Sequence, residues 1–500
     1  MNEFLKAMKQ ETNYGYTENG GVKHNSTLNK VLDMFGMGGS MRKRSEDDII
    51  TMFKDAYEEN PTLALRCLFY LRDVRGGQGE RRFFRVCLRW LANNYPGEVE
   101  ESLIPFISEY GRWDDLFVLF DTVLEPYMMG YIKWALDENK DHLLYKWMPS
   151  INASSHNTQE RGRKFAHEFK MSEREYRKML SEGRKACHLV ETLMSQQMWD
   201  QIAFDKLPSR AGLLYKNAFM RREETKKRYA EFMANKTTKV NAGVLYPVDI
   251  AHQIYQRYNH PSTTEREAWQ KYWDNLPNYY GDKEEPDIAV VDTSGSMYGT
   301  PLEAAVSMGA YIAERGKGPF HNHFITFSDS PELVEFKGVD IYDKFKRAAN
   351  ADWGGSTNIE AVFDLLLKTA RKNHVKPEDM PRTLYIFSDM EFNGCVTTPV
   401  TPTQYWWSPH NTYDTLTGIN TVIEAQVEKW KRYGYTPPRI IFWNLDARHN
   451  NIPAIGDGFS YVSGFSPVMI EQILSGKDGE ALMLEKLNSG RYEPIKSIHA

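Results

Sequence analysis

Pro286 to Met297 reads PDIAVVDTSGSM, a short apolar run that ends in an acid and a loop rich in hydroxyls. Asp287 to Val291 has the composition of a strand buried on both faces, as parallel strands are. Asp292, Thr293, Ser294, Gly295 and Ser296 form the loop at its carboxyl end. Asp292, Ser294 and Ser296 stand at alternate positions, so their oxygens can converge above the strand. Such a donor set suits a hard divalent cation, with Mg²⁺ the expected one.

Downstream, strand and helix patterns alternate. Strands are predicted over His323 to Ser328, Leu333 to Lys337 (an edge), Thr383 to Ser388, Arg439 to Asn444 and Tyr461 to Gly464. Helices are predicted over Pro301 to Arg315, Asn358 to Lys372, Thr421 to Tyr433 and Pro467 to Ser475. This βα succession over 284–492 predicts a doubly wound, Rossmann-like sheet, which places its ligands at the carboxyl ends of its strands. Two further loops belong at that edge: WGGSTN (353–358), with the hydroxyl of Thr357, and the end of LYIFSD (384–389), with Asp389. Between Asn393 and Leu416 lies a loop with Trp406, Trp407, Tyr405 and Tyr413, too long for a mere connection. A lid packed on its own aromatics and a binding surface are both open readings of it.

The D-x-S-x-S loop and its two companions resemble the metal-ion-dependent adhesion site of von Willebrand factor A domains. The resemblance implies that Ser294, Ser296 and Thr357 contact a metal directly and that Asp292 and Asp389 act mainly through waters, leaving a place for a partner's carboxylate. One departure is that Ser356 intervenes between the paired glycines and Thr357, so that Ser356 is an alternative donor.

Before the sheet, residues 1–45 are polar and glycine-rich and are expected to form an arm, with a short helix near Leu28 to Phe35. From 46 to 280 apolar residues recur at helical spacing: Ala64, Leu68 and Leu71; Phe84, Leu88 and Leu91; Trp113, Leu116 and Phe120; Met128, Ile132 and Ala135. Further helices are predicted over Ser172 to Leu180, Cys187 to Trp199, Ala211 to Arg221, Glu223 to Ala234, Pro247 to Tyr258 and Thr264 to Asn275. With no strand alternation, stacked helix pairs of the HEAT-like, α-solenoid kind follow. LRDVRGGQGER (71–81), EYGRWDDL (109–116), TENG (17–20) and KWMP (146–149) resemble TROVE-domain proteins, the Ro autoantigen family, as a distant bacterial or phage relative. The resemblance spans about residues 15 to 490. It implies a monomeric ring of helical repeats closed against a von Willebrand factor A domain, small structured RNAs on a basic outer face, and single-stranded RNA ends in the central hole.

The charge distribution bears on this. The net charge is −5, yet Glu160 to Val240 carries 19 Lys/Arg against 11 Asp/Glu, so the remainder sums to about −13. Arg161, Arg163, Lys164, Arg174, Arg177, Lys178, Arg184 and Lys185 fall in close groups, joined by Arg210, Lys216, Arg221 and Arg222. These are the candidate phosphate contacts, with His156, His167, His188, Tyr176 and Tyr215 as candidates to stack on unpaired bases. Interleaved acids leave a merely solvated helical face as the alternative.

Several classes are disfavoured. No apolar run reaches the ~20 residues of a membrane span and the amino terminus lacks an apolar signal core, so a cytoplasmic protein is expected. Cys67, Cys87, Cys187 and Cys395 are far apart, as befits reduced thiols. No H-E-x-x-H, P-loop or G-x-S-x-G motif is present, and no His stands near Ser294 or Ser296; a non-catalytic protein is expected. Two functions follow: Ro-like RNA binding, or an adaptor whose metal captures an acidic side chain of a protein partner.

Overall fold

The computed structural model describes residues 4, 8–9, 12–139, 142–256, 260–327, 330–349, 356–394 and 421–499. The aromatic loop from 395 onward, Cys395 and the paired glycines at 354–355 lie outside these residues. The chain divides into two units, and neither is a continuous stretch: Met1–Glu59, Tyr246–Pro261 and Asn278–Ser489 form one, and Asn60–Leu245, Ser262–Pro277 and Gly490–Ala500 the other. The fold class is the expected one at the level of its layers, a helix-rich region followed by a Rossmann-like, mainly parallel α/β sheet.

In the sheet unit a hairpin of β1 (Tyr14–Tyr16) and β2 (Val22–His24) precedes a six-stranded sheet. Its strands are β3 (Asp287–Asp292), β4 (His323–Phe327), β5 (Glu332–Glu335), β6 (Thr383–Ser388), β7 (Arg439–Asn444) and β8 (Phe459–Ser463). The order is β5-β4-β3-β6-β7-β8, parallel throughout except for the β4–β5 pair. β6 is buried at every position, as its unbroken apolar run requires. The Thr300–Arg315 helix covers β3 and β4, and a Cβ on Gly309 would meet Val291 Cγ2 at 2.4 Å, so only glycine lets it lie this close. The chain winds outward from β3 to β5 and then returns to the other side of β3 as β6. The β3/β6 boundary is therefore the topological switch point.

The division differs from the expected boundaries at 45/46 and 280/284. The Glu46–Glu59 helix packs on the Lys30–Met37 helix, which itself lies against β8, where Ser463 Oγ donates to Phe35 O at 3.1 Å. The Pro247–Gln256 helix packs on Thr300–Arg315, with His252 Nδ1 2.7 Å from Glu303 Oε2. Helical periodicity announces a buried stripe but does not say what covers it. The β1–β2 hairpin and the Ile341–Ala348 and Gly479–Leu487 helices escape the sequence reading.

At the amino end of β3, burial pushes the half-buried Asp287 carboxyl up to about 6, with Glu285 adding to the effect against hydrogen bonds from Thr383 and Tyr385. The folded protein thus holds this proton more tightly than the unfolded chain, whose carboxyl titrates near 3.8. Stability is expected to fall as pH rises through this window and to level off above it. Asp287→Asn should raise stability at pH 8 by roughly 1–2 kcal/mol and leave pH 4.5 nearly unchanged, as read from urea midpoints.

The helical unit is built from separate helices, among them Pro61–Arg72, Arg82–Asn94, His156–Glu168, Glu173–Ala186, Glu223–Ala234 and Thr263–Asp274. The helix expected over Cys187 to Trp199 is shorter, Val190–Ser195, because the chain turns at His188 with a φ of 46°. Asp73 is fully buried and accepts from Arg75 N (2.9 Å), Arg491 Nη2 (2.7 Å) and Tyr492 Oη (2.9 Å), tying residues 490–499 to this unit.

A candidate cation site at the switch point of the sheet

Residues Ala289, Val290 and Val291 of β3 pair with Tyr385, Ile386 and Phe387 of β6, so the two strands end side by side. Asp292, on β3, therefore meets the end of β6: Ser388 Oγ donates to Asp292 Oδ2 at 2.5 Å, and Ser294 N donates to Asp292 Oδ1 at 2.9 Å. Ser294 Oγ lies 3.0 Å from Ser296 Oγ. Asp389 accepts a hydrogen bond from the Ser296 side chain, from Glu391 N at 3.2 Å and from Arg448 Nη2 at 2.8 Å. Four of the five expected residues, Asp292, Ser294, Ser296 and Asp389, thus form one cluster.

Its electrostatics follow from burial. Asp292 is wholly buried and Asp389 is 1% exposed. Burial raises both carboxyls, and for Asp292 the Asp389 charge raises it further. Two carboxylates held together away from water need a proton or a cation between them. Arg448 supplies one positive charge, shared with Glu18 at 2.9 Å. The donors are all oxygens, two acids and two hydroxyls, which is the preference of a hard divalent ion.

Thr357 has a different setting. Its hydroxyl donates to Asn393 Oδ1 at 2.7 Å and accepts from Asn19 Nδ2 at 2.9 Å, while Ser356 Oγ lies 3.4 Å from Asn393 Nδ2. Asn19 Nδ2 also donates to Glu391 O at 2.6 Å, so Thr357 adjoins the end of β6 through the amino-terminal arm. At 17–21 that arm is docked: Thr17 Oγ1 donates to Phe392 O at 2.7 Å, Glu18 N to Glu391 Oε2 at 2.9 Å, and a Cβ on Gly21 would meet Phe392 O at 2.4 Å. Glu18, Glu391 and His449 bring one potential ligand atom each within 4.8 Å of one another, but Glu391 is already held by Glu18 N and by His449 Nδ1 at 2.8 Å.

Sequence reasoning missed Asn19, Ser388, Asn393 and Arg448. Ser388 was readable from its place one residue before Asp389. The others carry no periodicity or spacing that points to this edge.

The structure sorts the basic residues of the helical unit by their partners. Arg163 pairs with Glu173 (3.1 Å), Lys164 with Asp121 and Glu125 (3.0 Å each), and Lys178 with Glu182 (3.8 Å). Arg161 sits over the Phe120 ring, and Arg222 sits over Trp199 and bonds Gln197. Lys216 is only 2% exposed and lies over Trp269, which corrects its assignment as a surface phosphate contact. Tyr176 is fully buried, its hydroxyl donating to Pro149 O at 2.9 Å, which rules it out as a stacking platform. Half-buried Tyr215 bonds Glu191, whereas His156, His167 and His188 are exposed. Arg210 is exposed as well, and Arg174, Arg177, Lys185 and Arg221 are exposed with no ion pair among the described residues.

Two family models match the chain. A domain of unknown function, DUF2828, matches residues 17–124 and 143–276, and another, DUF7788, matches 287–493. Uncharacterized protein L728 of Acanthamoeba polyphaga mimivirus is 28% identical over 526 residues, covering 93% of this chain and 85% of that protein. The crystal structure of the Deinococcus radiodurans RO (RSR) protein is similar with a TM-score of 0.39 and 12% identity, over 92% of this chain and 99% of that one. No helix among the described residues is long and apolar enough to cross a membrane.

Proposed function

We propose that the protein is a non-catalytic RNA-binding protein whose helical unit holds RNA phosphates. The observation that carries this reading is the set of exposed cations of that unit that have no ion pair among the described residues: Arg174, Arg177, Lys185 and Arg221, with Arg184 beside them. Exposed cations already paired with carboxylates have little to gain from a phosphate. Unpaired ones release counterions when they meet one, which drives nucleic-acid association. The Ro-like motifs at 71–81 and 109–116 accord with a small structured RNA that has a single-stranded end as the ligand. The sheet unit is proposed to hold Mg²⁺ through Asp292, Ser294, Ser296 and Asp389, with Thr357 positioned through Asn19.

A salt series tests the reading. For a single-stranded contact through four or five of these cations, log K should fall against log salt with a slope of about −3. The purified full chain is titrated into a labelled structured RNA with a free 3′ end, from 50 to 300 mM KCl. Absence of salt-dependent binding overturns the proposal.

A second reading has one observation in its favour. Tyr298 follows the metal-type loop and is 86% exposed, an aromatic placed for contact beside the oxygen cluster. On this reading the sheet unit captures an acidic side chain of a protein partner through the bound ion. Partner capture that is unchanged in chelator excludes it.

A further inference from the structure

A cavity of about 310 Å³ opens in the helical unit between the 150–152 segment, the Glu173–Ala186 helix and the Val190–Ser195 helix. Its lining holds three cations, Arg177, Arg184 and Lys185, and no carboxylate. The acids of the flanking helices are engaged elsewhere: Glu182 with Lys178, Glu191 with Lys146, and Glu175 with the Ser172 cap. Arg184 is fixed as part of the wall, with Nε donating to Tyr145 O (3.0 Å), Nη1 to Ser150 Oγ (2.8 Å) and Nη2 to Met148 O (2.8 Å). Arg177 and Lys185 are exposed at the cavity with no ion pair among the described residues, Arg177 Nη1 donating to the neutral Asn152 Oδ1 at 3.4 Å. Ile151 and Leu180 also line it but are only 4% and 2% exposed, whereas the amides Asn152 and Gln196 are exposed at it.

A concave site that combines exposed cations, free of ion pairs among the described residues, with exposed amides matches a ligand that joins an anion to a heterocycle with a hydrogen-bonding edge. Its volume is at the lower end of the range for small-molecule sites, about 300–1,000 Å³, which fits one nucleotide and not a stack of them. We propose that this cavity takes a single nucleoside phosphate unit. The phosphate meets Arg177 and Lys185, and the base turns its hydrogen-bonding edge toward Asn152 and Gln196. The unit is either one residue of an RNA strand or a free mononucleotide, the chemistry being the same. In the first form the inference rests on the RNA-binding reading and adds the point at which one nucleotide is gripped.

The test uses the full chain with three probes: inorganic phosphate, adenosine 5′-monophosphate and a labelled single-stranded 12-nucleotide RNA. The double variant Arg177→Gln/Lys185→Gln removes these two charges while leaving the wall arginine in place. The control Lys133→Gln/Lys226→Gln removes two exposed charges that already pair with Asp137 and Glu223. Circular dichroism confirms that both fold. We expect the mononucleotide to compete with the RNA, and the cavity variant to lose roughly tenfold in affinity where the control loses less than about threefold. Mononucleotide binding that is lost in the cavity variant, with no RNA binding at all, supports the free-ligand form and overturns the RNA reading alone. Equal losses in cavity variant and control, with RNA still bound, overturn the cavity proposal and leave the RNA reading standing. If no probe binds, both fall.

Discussion

Asp115→Ala is expected to cost the helical unit about 3–5 kcal/mol, the range found when one partner of a buried ion pair is removed. Asp115 is fully buried and Arg72 is 2% exposed, with Arg72 Nη2 at 2.6 Å and Nε at 2.8 Å from Asp115 Oδ2. The other oxygen accepts from Arg85 Nε at 2.6 Å, and Oδ2 also takes Arg112 N at 2.9 Å. Truncation would strand the Arg72 guanidinium in an apolar interior, where Phe69, Leu71 and Leu116 are all fully buried. Denaturant unfolding of the single variant, followed by Arg72→Met/Asp115→Leu, separates lost attraction from stranded charge. The double variant should recover much of the loss. A single variant within 1 kcal/mol of wild type would refute the argument. The prediction also gives the motifs at 71–81 and 109–116 a physical meaning: their charges hold helices together inside the unit, so the motifs report architecture before they report any ligand.

The second large effect has the opposite sign. Asp292→Asn keeps the shape and the acceptor for Ser294 N while removing one of two carboxylates that repel each other in a dry site. Without divalent ions the variant is expected to be more stable than wild type by roughly 1–3 kcal/mol at pH 8. The sign follows because burial and Asp389 raise the carboxyl, so the folded wild type loses stability as pH rises through that carboxyl's titration. Added Mg²⁺ should raise the melting temperature of wild type and leave Asp292→Asn unmoved. Melting curves in chelator and in 5 mM Mg²⁺ at pH 8 test both halves. A wild type indifferent to Mg²⁺, together with a destabilised variant, would remove the cation from this site.

How far these sites were legible depends on what kind of information each needed. The strand at 287–291 and the acid after 388 announce themselves because a strand buried on both faces leaves an unbroken apolar run, and the doubly wound topology then fixes where such strands end. The arm at 17–21 gives no such sign. It has no periodicity, and its contacts lie more than 330 residues away, at Thr357 and Glu391. The basic excess between 160 and 240 was countable, yet the count could not separate Lys164, which faces two carboxylates, from Lys185, which has no ion pair among the described residues. Nor could it show that Lys216 and Tyr176 turn inward, since a lysine or tyrosine at helical spacing is compatible with either face.

The discontinuity of both units sets the timing of folding during synthesis. Asp73 leaves the ribosome 418 residues before Arg491, which at about 5–20 residues per second is a wait of roughly 20–80 seconds. Throughout that interval a carboxylate destined for a wholly buried site has none of its carboxyl-terminal partners, and the arm at 17–21 likewise waits for residues beyond 357. The helical unit is therefore expected to reach its final stability only after nearly the entire chain has been made, and a fragment carrying residues 60–277 should be a poor stand-in for it.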